Sequence, residues 1–221
     1  MVAVWLVLIL VLIIAAGIAL GMVRRTQTLG RGREVEQLAR QHGWHYAADD
    51  VRWVQVTGGI PRAQGLYARQ GQARHVVTAN LDGWQVTFFH LLAFNAGTRR
   101  EITYTTVWAI ALPAPLPPMC AIPNTWLKQK ITAITGDHRT GDPVFDERFL
   151  SDAKDPNMGA AVLNSEMRQF LVACGIPFRV DEHGYVITWA DGLVTDPNHL
   201  IGQGRTLVQI AQRVFAATGM R

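Results

Sequence analysis

The chain has 221 residues, 21 Lys and Arg against 17 Asp and Glu, and a formal net charge of +4. Two cysteines, Cys120 and Cys174, each inside an apolar run, exclude a disulfide-stapled scaffold and read as small buried hydrophobes of a reducing compartment. The basic excess is scattered, 18 Arg to 3 Lys, and meets no binding motif, so nucleic acid is excluded as a partner.

Residues 1–23 carry no charged side chain and stop at Arg24-Arg25. In a helix rising about 1.5 Å per residue, Val2 to Val23 matches a hydrocarbon core of roughly 30 Å, which predicts a transmembrane helix. A cleaved signal peptide would want a basic start and a shorter apolar core. Arg24, Arg25, Arg31, Arg33 and Arg40 all follow the span. The positive-inside rule therefore places the amino end outside and the rest in the cytoplasm of a single-pass plasma-membrane protein. Residues 24–100 hold 11 Arg against 5 acids, whereas 101–221 hold 10 bases against 12 acids. The basic half thus lies beside the bilayer, with Arg24, Arg25, Arg31 and Arg33 as candidates for contact with anionic head groups. Within the span, Gly17 and Gly21 form a G-x-x-x-G, and Ala16 and Ala19 add a second small pair. Small residues one turn apart let helices approach in lipid, so these four are the helix-association candidates, toward a membrane protein partner or a second copy of the chain.

Glu34 to Gln41 predicts a short juxtamembrane helix with Val35 and Leu38 on one face and Gly43 as its stop. The period then changes to two. Trp53 to Thr57 alternates as a strand, Gly58 to Pro61 turns, and Ala73 to Leu81 meets Trp84 to Phe94 across Asp82-Gly83, a hairpin signal. A third strand, Ile102 to Leu112, follows the Asn95–Thr98 turn and completes an antiparallel meander. From Phe88 onward both faces of the middle strand are apolar, so it is central and covered on two sides. Pro113 to Pro118 cannot donate ladder hydrogen bonds and reads as an extended connector or edge, with a proline-rich docking ligand as the alternative.

Beyond the connector come a short strand, Met119 to Ile122, and a helix from Asn124 to Gly136. A polar loop to Pro143 precedes a strand near Phe145 to Leu150. Helical stretches follow near Met158–Leu163 and Ser165–Ala173, then a hairpin of Phe178–Asp181 and Tyr185–Trp189 around His183-Gly184. The last element is an amphipathic helix from about Asn198 to Thr218, with Leu207, Ile210, Ala211, Val214 and Phe215 on its apolar stripe. The class is α+β. The expected organisation is a transmembrane helix (1–23), a juxtamembrane basic helix (24–43), an antiparallel sheet lobe (44–118) and a smaller α+β lobe (119–221).

From His42 to Ala173 a set of landmarks recurs. His42-Gly43-Trp44-His45-Tyr46 gives His-Gly-Trp-x-Tyr at the end of an Arg-rich helix. Gly59-Ile60-Pro61 gives a Gly-x-Pro turn, and Ala73-Arg74-His75-Val76 the start of a strand. Phe145-Asp146-Glu147-Arg148-Phe149 gives Phe-Asp-x-x-Phe, and Asp155 and Leu163 belong to a later helical pattern. In these landmarks the chain resembles a domain-of-unknown-function family of single-span actinobacterial membrane proteins. It departs from that pattern at Gly159, where Ala is usual, and at Ser165, where Pro is usual and where Ser would cap a helix. The resemblance implies an anchored domain and brings no activity, cofactor or catalytic residue.

The seven histidines include no pair at a metal-ligand spacing beside a third donor, so neither metal nor cofactor is expected. His90, amid Phe88, Phe89 and Leu91, reads as a satisfied core histidine. The loop Gly136 to Asp142 gathers Asp137, His138, Arg139, Thr140 and Asp142, which could serve acid–base chemistry only if it lined a pocket; the plain alternative is a solvated turn. Gly202-Gln203-Gly204-Arg205 lacks the preceding strand and third glycine of a phosphate cradle. These features together predict a non-enzymatic accessory or scaffolding subunit that binds other proteins at the cytoplasmic face of the membrane. An anionic-lipid or ligand-sensing module, and a hydrolase built on Asp137, His138 and Asp142, are its rivals.

Overall fold

A computed structural model describes residues 32–57, 72–94, 102–124 and 139–219. The span candidates Ala16, Gly17, Ala19 and Gly21, the bases Arg24, Arg25 and Arg31, and the turns at Gly58–Pro61 and Asn95–Thr98 lie outside these residues, as does nearly all of the helix expected from Asn124. Among the described residues no helix is long and apolar enough to cross a membrane.

The first helix, α1 (32–41), buries Val35, Leu38 and Ala39. It ends where the Trp44 amide donates to Ala39 O at 2.8 Å and Gly43 takes φ +66°, a left-handed stop that glycine adopts without steric cost. Strand β1 (His45–Asp49) follows, then α2 (Arg52–Val56).

This five-residue helix corrects the strand expected at Trp53–Thr57. Asp50 starts the turn: its carboxylate accepts from the Arg52 amide at 3.1 Å, and its carbonyl from the Trp53 amide at 3.3 Å. Trp53, Val54 and Val56 then reach the sheet together, since residues three apart share a helix face as readily as residues two apart share a strand face.

Strands β2 (Gln72–Leu81) and β3 (Trp84–Phe94) form the expected hairpin. Asp82 and Gly83 both have positive φ, 51° and 83°, the two-residue turn whose twist suits the strands. Strand β4 (Ile102–Ala111) completes the meander, and the 112–118 connector leads to β5 (Met119–Pro123).

A second correction falls at Phe145–Leu150. Residues Pro143–Arg148 form helix α3, and strand β6 (Phe149–Ala153) starts only afterwards. Asp142 accepts from the Val144 and Phe145 amides, and Pro143 occupies the first turn, where its missing N–H costs nothing. The same Asp-Pro start opens α4 (Pro156–Val162) at Asp155 and α6 (Pro197–Thr218) at Asp196. Between them α5 (Ser165–Cys174) is capped by Asn164, one residue before the Ser165 expected to cap it. The hairpin of β7 (Phe178–Val180) and β8 (Tyr185–Asp191) turns at Gly184, φ +82°.

All eight strands join one antiparallel sheet in the order β1-β2-β3-β4-β8-β7-β5-β6, so strands from both sides of residue 118 share it. One face carries Phe88, Trp108, Ile110 and Val186 under α1, α3, α4, α5 and α6. The other carries Phe89, Leu91, Val107 and Trp189, with α2 packed against it. Helices gathered on one face of an antiparallel sheet define an α+β architecture.

Candidate functional site

The face beneath α2 holds a groove of about 690 Å³ at the end of the sheet where the β2–β3 and β7–β8 turns lie. Its floor comes from alternate residues of three strands: His45 and Ala47 on β1, Val76 and Thr78 on β2, Gln85 and Thr87 on β3. The wall is Asp50, Arg52, Trp53, Gln55 and Val56, and His183 and Tyr185 close the far side. Pairing His45 with Thr78, and Thr78 with Thr87, sets these residues side by side.

The Thr78 and Thr87 hydroxyls meet at 3.1 Å. Trp53 is wedged between Phe89 and Tyr185, with ring centroids 5.2 Å away in each case. Arg52 grips Asp50 through Nε at 3.0 and 3.1 Å and Nη2 at 2.6 Å, and this hydrogen bonding holds the Asp50 carboxyl below its usual range. The closing turn is built by Asp181, a buried carboxylate that accepts from the His183 and Tyr185 amides at 3.1 and 2.7 Å. Burial pushes the Asp181 pKa up, against those hydrogen bonds.

On the opposite face a histidine pair lies beside α1. Strand β2 carries a bulge between Arg74 and Val77, and His75 within it has φ 52°, a strained value for a residue with a side chain. Its Nδ1 lies 3.0 Å from the Tyr46 hydroxyl, and its ring 5.7 Å from that of His90. Gly32 of α1 sits directly on the imidazole, since a Cβ there would come within 2.3 Å of His75 Cε1. His90 is 1% exposed; its Nε2–H donates to Val194 O at 2.9 Å, while among the described residues Nδ1 has no partner. The core reading of His90 is therefore right in burial but holds for only one ring nitrogen. Burial lowers the His90 pKa to about 4.

The remaining candidates resolve into structure. Asp142 caps α3 and pairs with Arg168 at 3.1 Å, while Asp146 accepts from the Thr140 amide and hydroxyl and the Gly141 amide. Of the hydrolase candidates, Asp142 is engaged as that cap and ion pair, and Asp137 and His138 lie outside the described residues. A hollow of about 470 Å³ beside that turn is lined by Arg139, Asp146, Glu147 and Ser151 among others. The Gly202–Arg205 run lies inside α6, where Gly204 allows close packing: a Cβ there would stand 2.6 Å from Leu81 Cδ1. Cys120 and Cys174 are free and only partly buried, rather than fully so, and burial raises both thiols, Cys120 to about 11. Arg33 is exposed on α1. Among the described residues no group of three or more His, Cys, Asp or Glu is placed to hold a metal.

Fold and site together define an antiparallel-sheet α+β domain with a polar groove on the less covered face. No family model and no curated protein matches the sequence. The fold does match the crystal structure of the mycobacterial trehalose monomycolate transport factor A, TtfA, with a TM-score of 0.56 at 16% identity, over 85% of this chain and 96% of that one. At that identity the likeness is one of fold.

Proposed function

We propose that this chain is a non-enzymatic accessory factor, anchored by residues 1–23, that binds membrane transport proteins at the cytoplasmic face of the plasma membrane. The observation that carries this reading is the fold likeness to a transport factor over 96% of that protein's structure. The apolar opening and the arginines behind it supply the anchor and its sidedness. Trehalose monomycolate, named for the neighbour, is the cargo class to test first. The experiment is gentle extraction of native membranes through a carboxyl-terminal tag, followed by native sizing. A stable larger particle holding a membrane transport protein is expected, and a partner-free monomer would overturn the proposal.

A second reading, ligand sensing, is favoured by the groove beneath α2, whose polar side chains converge from three strands, a helix and a turn.

A further inference from the structure

We infer that the groove beneath α2 is a binding site for an uncharged polyol, the sugar ring of a saccharide or of a glycolipid head group. The inference rests on the ligand-sensing reading and does not depend on the protein-binding part of the accessory role.

Charge comes first. The charged lining groups are Asp50 and Arg52, and they neutralise each other through three contacts of 3.1 Å or less. A site for phosphate or carboxylate would carry a surplus of positive charge, and a site for a cation a surplus of negative charge. Here the pair sums to zero, with the Nε–Nη2 edge of Arg52 spent on Asp50, so the groove selects by hydrogen bonding and shape.

The hydrogen-bonding groups fit hydroxyls. Gln55, Gln85, Thr78 and Thr87 each bring donor and acceptor capacity, as do the imidazoles of His45 and His183. A sugar hydroxyl is likewise donor and acceptor at once, so a groove rich in two-way groups satisfies it whichever way it turns. The Thr78–Thr87 contact uses one hydroxyl proton and leaves the other pointing elsewhere.

Trp53 supplies the third requirement. Pyranose rings present flat patches of slightly positive C–H bonds, which lie well on the negative face of an aromatic ring. The indole lines the groove half-buried and is held from two sides by Phe89 and Tyr185, so little side-chain freedom would be lost when a ring docks. The volume, about 690 Å³, falls inside the range of roughly 300–1,000 Å³ usual for small-ligand sites. Val56, Val76 and Ala47 line the same groove and could receive the first carbons of an attached chain.

The test uses the full chain in phosphatidylcholine nanodiscs, because sugar-headed detergents would compete. Saturation-transfer NMR with maltose as probe is run beside nanodiscs doped with monoglucosyl diacylglycerol, with inorganic phosphate as the anionic competitor. Transfer to maltose supports a free saccharide, and a response confined to doped discs supports a glycolipid head. Gln55→Ala and Gln85→Ala, both at exposed positions, should each weaken the response about fivefold while moving the melting temperature by no more than about 2 °C. Trp53→Leu, which keeps apolar bulk, should weaken it at least tenfold. Silence toward both probes, displacement of maltose by inorganic phosphate, or unchanged affinity in Trp53→Leu would each overturn the site. None of these failures touches the binding of a membrane transport protein, which co-purification reads.

Discussion

The two faces of the sheet are built from the same alternating strands and end in different states. The face under α1 and α6 is closed over along the central strands: Phe88, Trp108, Ile110 and Val186 are all at or below 1% exposure, and the polar residues among them, His90, Thr106 and Thr188, are buried with them. On the other face the apolar stretch of Phe89, Leu91 and Val107 gives way along β3 to Thr87 and Gln85. A face that seals completely contributes stability. One that turns polar before its end leaves room for a ligand, so the difference separates what holds the domain together from what is free to work.

The strongest way to break that contrast is Trp108→Ala. Trp108 is fully buried, its Nε1–H donates to Leu200 O at 3.0 Å, and it lies where Gly204 lets α6 come close. Removing the indole opens a cavity and leaves that carbonyl without its donor, a loss of about 3–5 kcal/mol. At roughly 2–4 °C per kcal/mol for a domain of this size, the melting temperature should fall by about 10 °C. A fall under about 3 °C would mean that the α6 face does not carry the fold.

Acid acts on the same face through His90. Its pKa is near the ordinary 6.5 when unfolded and about 4 when folded, chiefly because burial disfavours the charged ring. A base with a depressed folded pKa resists protonation in the native state. Its contribution is therefore intact above about pH 6.5 and is lost as pH falls toward 4, by about 3 kcal/mol in all. His90→Gln keeps an N–H for Val194 O and removes the titration. Urea midpoints between pH 7 and 4 should fall more steeply for the native chain than for His90→Gln, and parallel curves would refute the assignment.

How much of this could be read from residues alone depends on whether the cause was local. The β2–β3 hairpin was legible because Asp82-Gly83 favours its turn within two residues, and α6 because its apolar stripe recurs over 22 residues. Helix α2 was misread because five residues satisfy a period of two and a turn of helix about equally well. What decided between them was the Asp50 carboxylate on the Arg52 amide and the landing of Trp53 on Phe89. The Pro143–Arg148 helix carried a local signal, Asp142-Pro143, that outweighed the aromatic pair Phe145 and Phe149. The groove had almost none. Thr78 and Thr87 face each other across the local hairpin, but His45 joins them only by the pairing of β1 with β2, and His183 only because β4 sets β8 beside the meander; the one hint was the polar Gln85 and Thr87 alternating with Val86 and Phe88.

The gentlest substitutions define the contrast most sharply. Gln55 and Gln85 both line the groove, one from α2 and one from β3, and both are exposed. An exposed glutamine truncated to alanine loses little buried area, and alanine is the better residue in a helix at position 55, so Gln55→Ala should be neutral or slightly stabilising. Gln85→Ala in a strand should cost up to about 0.5 kcal/mol, because alanine packs poorly on a pleated surface. Chemical denaturation of the two variants should thus give midpoints close to the native chain, against the large fall in Trp108→Ala. If Gln85→Ala instead cost more than about 1.5 kcal/mol, the amide would be part of the sheet's own hydrogen-bonded structure, and the groove would be a second sealed face rather than an open one.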